Sequence, residues 1–368
     1  GVFTSMSAAG SVIGVVLGAS IIENFGWRST FFSIIPITIV LLIVIRHFIY
    51  EDQKLSSTDN SKKVSAIENY SNKLKNDNND NDNDIQSRSI DIKGAITLAY
   101  TITSFLLALT YSDENSVANS MVTVSLVIMG TISLMLFVII ERKSKFPLVD
   151  LQLITNRIIF SANIILVLIF IIKFAVFQTI PVLVKSPEPL GFGGGITDIA
   201  DIQLPFMIVF LLFAPSSGII ISRLGSTRPT IFGSIITVIG CCGLFLFHST
   251  GYLVSVNLAI IAAGISLLQV GSMNIILEST PSQFSGISLG MTVIFKMVGS
   301  SIGPVIAGMY MEANQTIVGG VNGSLPSPNS YALIFLTLSL TSIISVALST
   351  IINRRVAITS PNAKETIF

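Results

Sequence analysis

Charge is the scarcest commodity in this sequence. Asp, Glu, Lys and Arg make up only 11% of its 368 residues, where water-soluble domains carry about 25%. So little polar surface cannot face water all round, which excludes an ordinary soluble globule. Formal net charge is +1, which excludes the basic field that a nucleic-acid partner requires. Only two cysteines occur, Cys241 and Cys242. They are adjacent in an apolar run, so they cannot form a disulfide framework and carry no redox information. The two histidines, His47 and His248, lie near opposite span ends and cannot pair on a metal. No Gly-Lys-Ser/Thr phosphate loop is present, so ATP does not drive the protein directly. No His, Asp and Ser constellation at helical spacing suggests catalysis. The expectation is a chain with no cofactor and no enzymatic activity.

Apolar residues are abundant, at 51%, and mean hydropathy is +0.78. A membrane-spanning helix needs about 20 mostly apolar residues. Ten stretches qualify: 3–22, 29–50, 93–111, 117–140, 158–184, 202–222, 229–248, 252–274, 286–310 and 331–352. Backbone groups in lipid must be satisfied within the segment, so each stretch is expected to be a helix. The runs are too continuous for barrel strands, which alternate over about ten residues. The fold class is therefore an all-α polytopic membrane protein, with the lipid bilayer as its first partner.

Loop charge predicts orientation. Basic residues collect in alternate loops: Lys54 to Lys93, Arg142 to Arg157, Arg223 with Arg228, and Arg354 with Arg355 and Lys364. The loops between hold almost none, only Arg28 and Lys185. The positive-inside rule makes the basic loops and the C-terminus cytoplasmic. The chain opens on Gly1 and runs straight into an apolar helix. It reads as a truncated chain lacking an even number of preceding helices.

The one long polar stretch, 51–92, is centred on an Asn/Asp run from Asn76 to Asp84. Such a composition buries no core and predicts a disordered cytoplasmic linker. Asn-x-Ser/Thr sequons fall at Asn69 in this linker and at Asn314 and Asn322 in an outer loop.

An internal repeat is the most informative pattern. Gly1, Gly10, Gly14, Gly18 and Ala19 recur as Gly290, Gly299, Gly303, Ala307 and Gly308, each pair separated by 289 residues, as are Glu23 and Glu312. Glycines four apart share a helix face and admit a neighbouring backbone. Small residues in register on two distant helices suggest two homologous halves, an arrangement of secondary transporters.

The second copy, with Pro304 after Gly303, resembles the antiporter motif of the major facilitator superfamily. The first copy departs from it, with Val15 in place of the proline and Ala19 in place of the last glycine. Gly26-Trp27-Arg28 through Pro36 is similar to the family's opening of the sixth helix. Gly218, then Arg223, Gly225 and Arg228, looks like a degenerate copy of its inner-loop motif, with Ser222 where an aspartate is usual. Glu141-Arg142 through Asn156-Arg157 resembles the loop before the C-terminal half of the fourteen-helix drug:proton antiporters. The resemblance implies five parts. They are the end of an N-terminal bundle at 1–50, the linker at 51–92, a central helix pair at 93–140, a six-helix bundle at 158–352 and a cytoplasmic tail at 353–368. Four further helices would make fourteen. It also implies proton-coupled export of small amphipathic organic compounds across the cell membrane by alternating access, gated by the two glycine helices. Other readings are transport of organic anions or metabolites, and a receptor or scaffold that does not transport.

Charge inside a span is expensive and marks a functional candidate. Lys173 lies mid-span and Lys296 shares the face of Gly299 and Gly303. Either could draw an anionic group or titrate; either could instead snorkel or hold a structural carboxylate. Asp201, at the expected outer mouth with Asp198, is the best-placed carboxylate for proton coupling. Asn163, Gln178, Gln203, Gln269 and Asn274 are amides within or beside spans, placed to bond substrate or to join helices.

Overall fold

In the computed structural model of the protein, the structure describes residues 2–47, 92–111, 117–143, 151–317 and 324–359. It is helical almost throughout: α1 Val2–Phe25, α3 Ile92–Thr110, α4 Val117–Lys143, α5 Leu151–Thr155, α6 Arg157–Lys185, α7 Ile196–Leu224, α8 Thr227–Leu246, α9 Gly251–Glu278, α10 Ser285–Ala313 and α11 Pro328–Thr359, with α2 at Trp27–His47. Among the described residues nine helices are long and apolar enough to cross a membrane. Helix α1, with 24 residues, covers the first expected span, and its stretch Ala9–Phe25 is a shorter apolar helix among the residues described. The chain is an all-α polytopic membrane protein.

The chain divides into two compact units, residues 1–19 with 90–368, and residues 20–89. The described part of the second unit is the end of α1, a turn at Gly26 and the helix α2, with Trp27 and Phe31 in edge-to-face contact 6.0 Å apart. The expected linker lies outside the described residues except at Ile92, which begins α3. Asn69 and Asn322 also lie outside them.

Within the larger unit α6, α9 and α11 form the middle of a six-helix bundle. α9 packs between α7 and α8, α6 packs on α10, and α11 bridges α8 and α6. Lipid is as apolar as a leucine side chain, so these helices gain little from leaving it and must associate by close packing. Two seams of small residues provide that closeness. At the α8/α9 seam a Cβ on Gly233 would stand 2.8 Å from the carbonyl oxygen of Gly264, and one on Gly264 would stand 2.7 Å from that of Gly233. At the α6/α10 seam a Cβ on Gly303 would stand 2.5 Å from the carbonyl oxygen of Ile171 and 2.9 Å from the amide of Ala175. Gly299 meets Val167 and Phe170 one turn earlier. Numbers rise together on both helices, so α6 and α10 run parallel.

Buried hydroxyls are silenced by their own helices, as Thr237 donates to Gly233 O at 2.8 Å and Ser349 to Ser345 O at 2.7 Å. Others tie helices together. Ser217 and Ser266 share a bond at 3.1 Å between α7 and α9, and Ser186 and Tyr331 share one at 3.0 Å between α6 and α11. The central pair α3 and α4 pack on each other, with Thr101 donating to Ser133 at 3.0 Å.

Several ends differ from expectation. α7 starts at Ile196 rather than 202 because Asp198 reaches back to accept from the Gly195 amide at 2.7 Å. A carboxylate in the first turn satisfies a free N–H and suits the helix dipole. α9 continues to Glu278, and α11 to Thr359, so residues 353–359 of the expected tail are helical. Charge ends an apolar run, but helical hydrogen bonding continues past the hydrocarbon. The loop after α10 carries a small antiparallel hairpin, Gln315–Ile317 with Ser324–Pro326.

Candidate functional site

Helix α6 carries the sequence Phe170, Lys173, Phe174, Phe177. At 3.6 residues per turn the three rings flank the lysine on one side of the helix. The ammonium of Lys173 lies 6.0 Å from the centroid of Phe170, 5.9 Å from Phe174 and 5.7 Å from Phe177. A fourth ring comes from α7: Phe210 is nearest, at 4.9 Å. Distances within about 6 Å are those at which a ring face attracts a cation. The rings hold one another in turn. Phe170 stacks on Phe174 at 6.0 Å, and Phe177 meets Phe206 edge-on at 5.1 Å. Phe206 stacks on Phe210 at 6.0 Å.

Lys296 arrives from α10, and its ammonium also lies 6.0 Å from Phe170. Among the described residues its one polar contact is the thioether of Met273 on α9 at 3.9 Å, a weak acceptor. The glycine seam explains the meeting. Gly299, one turn beyond Lys296, admits α6 at Val167 and Phe170, and that contact brings the lysine over the Phe170 ring. Neither lysine makes an ion pair among the described residues. The structure thus gathers Lys173 and Lys296 at one aromatic cluster built from α6, α7 and α10.

The other candidates are dispersed. Asp201 is exposed in the second turn of α7. Among the described residues, buried Gln203 has no partner for its Nε2 and Gln269 none for its buried Oε1. Asn163 is fully buried; its amide donates to Ile159 O at 3.0 Å, and its Oδ1 has no partner among the described residues. Gln178 is exposed and Asn274 half-buried. The two copies of the glycine repeat differ in their surroundings. Gly299 and Gly303 are buried in the α6/α10 seam, whereas a Cβ on Gly10, Gly14, Gly18 or Gly308 would meet no neighbouring helix among the described residues within 4 Å. Pro304 lies inside α10.

At the degenerate loop motif, Gly218 and Arg223 belong to α7, Gly225 separates it from α8, and Arg228 is the second residue of α8. Gly225 has φ 77° and ψ 169°, a region open essentially to glycine alone. Sequence reasoning missed what holds this corner: Ser226 donates to the Glu278 carboxylate at the end of α9, at 2.5 Å. It also missed the Phe residues. The −3, +1 and +4 spacing around Lys173 was a readable signal for three of them; Phe210 comes from another helix and had none.

The family model described as Major Facilitator Superfamily matches residues 1–304. Among curated relatives, the multidrug resistance protein Stp of Mycobacterium tuberculosis is 21% identical over 332 residues, 89% of this chain and 55% of that protein. The multidrug transporter protein MdtP of Bacillus subtilis is 22% identical over 318 residues, 85% of this chain and 52% of that protein. The tetracenomycin C resistance and export protein of Streptomyces glaucescens is 20% identical over 320 residues, 85% of this chain and 52% of that protein. The chain spans about half the length of these relatives.

Proposed function

Because this chain belongs to the Major Facilitator Superfamily, we propose that it works as a secondary active transporter, exporting amphipathic organic compounds in exchange for protons. The match over residues 1–304 carries this reading, and the names of the relatives, which resist or export drugs, support export over uptake. Alternating access requires helices that slide without opening the bundle. The glycine seam between α6 and α10 supports that role, since two backbones in contact have no side chains to disengage. The helix pair α3 and α4, lying between the start of the chain and the six-helix bundle, supports the fourteen-helix drug:proton branch. Basic loops on alternate sides support a cytoplasmic C-terminus. The relatives are transporters, which supports a protein without enzymatic activity.

The test is gradient-driven flux. The protein is placed in liposomes with a pH difference across the membrane, and the movement of a panel of cationic, neutral and anionic amphipathic dyes is followed. Dye movement that starts with the gradient and stops with a protonophore is the expected result. Dye movement that ignores the gradient refutes proton coupling, and no movement of any dye refutes export.

A further inference from the structure

We propose that Lys173 and Lys296 together form an anion subsite, and that the compound this transporter moves is an amphipathic organic anion: a carboxylate or sulfonate on an aromatic body. The proposal rests on the transport reading and names the substrate class that the site takes.

Snorkelling does not account for Lys173. It lies sixteen residues after Arg157 and twelve before Lys185, the ends of α6. At about 1.5 Å per residue, both ends are far beyond the reach of a four-carbon side chain. Its ammonium instead sits among four rings, 4.9 Å from Phe210 at the closest. A structural ion pair does not account for either lysine, since no carboxylate among the described residues pairs with them. Ring faces attract a cation but supply no counter-charge, and the Met273 sulfur supplies none either. Each ammonium lies 6.0 Å from the centroid of Phe170, so two like charges share one low-dielectric cluster with no counter-charge among the described residues. Each feature that makes the pair costly is relieved by one anion.

The same geometry chooses the rest of the ligand. A carboxylate or sulfonate offers two or three oxygens to two donors through charge-assisted bonds. Its aromatic body then meets Phe174, Phe177 and Phe210, which prefer edge-on or offset ring contacts. An organic cation fares worse on two counts. It meets like charge, and the ring faces that would hold it already hold Lys173.

Equilibrium binding to the purified protein tests this with three probes of one shape: 2-naphthoate, neutral 2-naphthamide and the trimethylammonium of 2-naphthylmethylamine. 2-Naphthoate is expected to bind at least about tenfold tighter than the cation. Lys173→Gln and Lys296→Gln should each weaken 2-naphthoate by about tenfold or more and leave the amide within about threefold. Lys173→Arg, which keeps the charge, should retain most of the affinity. The amide binding of each variant doubles as evidence that it is folded. Equal binding of the three probes overturns the proposal. So do lysine variants that lose all three probes alike, unchanged 2-naphthoate binding in both Gln variants, or no 2-naphthoate binding at millimolar concentration. A carboxylate of the polypeptide that already neutralises the lysines would give this last result. Failure of the transport reading looks different: 2-naphthoate then binds in a lysine-dependent way but no gradient drives its flux. Gradient-driven flux of a cationic dye that ignores both lysine variants leaves transport standing and sinks the anion subsite.

Discussion

Gly303→Ala and Gly14→Ala are the same substitution at positions matched in the repeat, and they should act with opposite sign. At Gly303 the new methyl would lie 2.5 Å from the carbonyl oxygen of Ile171 and 2.9 Å from the amide of Ala175. A tolerable carbon–oxygen contact is about 3.3 Å, so α6 and α10 must part by about 0.8 Å at that point. A gap of that order forfeits a quarter to a half of the dispersion energy of each contact along the seam. Overpacking of this kind costs about 1–3 kcal/mol. At Gly14 the methyl meets no atom of another helix within 4 Å among the described residues. The change there only replaces a poor helix former, which favours the folded state by up to about 1 kcal/mol. Thermal unfolding of the 368-residue chain in detergent distinguishes the two. In a Cys242→Ala background the remaining thiol, Cys241, is fully buried in α8, so a thiol-reactive fluorophore reports bundle opening. Gly303→Ala should melt lower than the parent and Gly14→Ala no lower. A Gly303→Ala protein that melts with the parent refutes the close-approach argument. A Gly14→Ala protein destabilised as much as Gly303→Ala refutes the assignment of different surroundings to the two copies.

The same melting assay tests three smaller features. Gly225→Ala gains no clash, since a Cβ there meets nothing within 4 Å; backbone strain at φ 77° should still cost about 1–3 kcal/mol, and a neutral result would mean the corner is free to rearrange. Tyr331→Phe removes the bond to Ser186, whose hydroxyl keeps its bond to Val182 O at 2.8 Å; a loss of about 0.5–1.5 kcal/mol is expected, and adding Ser186→Ala should cost less than the sum of the two single changes. Ser226→Ala takes the hydroxyl from the Glu278 carboxylate and should lower stability by about 1 kcal/mol; if Ser226→Ala has the same effect in a Glu278→Gln background as in the parent, the bond does not hold the corner.

The helices were legible because each spanning run is long, uninterrupted and almost free of charge, and lipid leaves the backbone no alternative. Their ends were less so. Asp198 lies before the expected span at 202–222, yet it caps α7; Glu278 lies beyond the expected span at 252–274, yet it closes α9 onto Ser226. Hydropathy measures what lipid tolerates, while capping and hydrogen bonding decide where the helix stops. Lys173 and Lys296 stood out as single charges in apolar runs, and the spacing of Lys296 to Gly299 placed it on the packing face. That both ammonium groups share Phe170 was not legible, because it depends on the parallel register of α6 and α10. The glycine repeat was legible as a pattern, but the neighbours that make Gly299 and Gly303 costly to alter belong to α6, some 130 residues earlier in the chain.

The seam and the charge pair are one arrangement rather than two. Gly299 and Gly303 let the α10 backbone touch α6 at Val167 and Ile171, and Phe170 lies between those two contacts. A side chain at either glycine would hold α10 off, and Lys296 would leave the Phe170 ring. On the proposed anion subsite, Gly303→Ala should therefore weaken 2-naphthoate binding as well as lower stability, because it moves Lys296 away from the cluster on α6; unchanged binding in a destabilised Gly303→Ala protein would separate the seam from the charge pair.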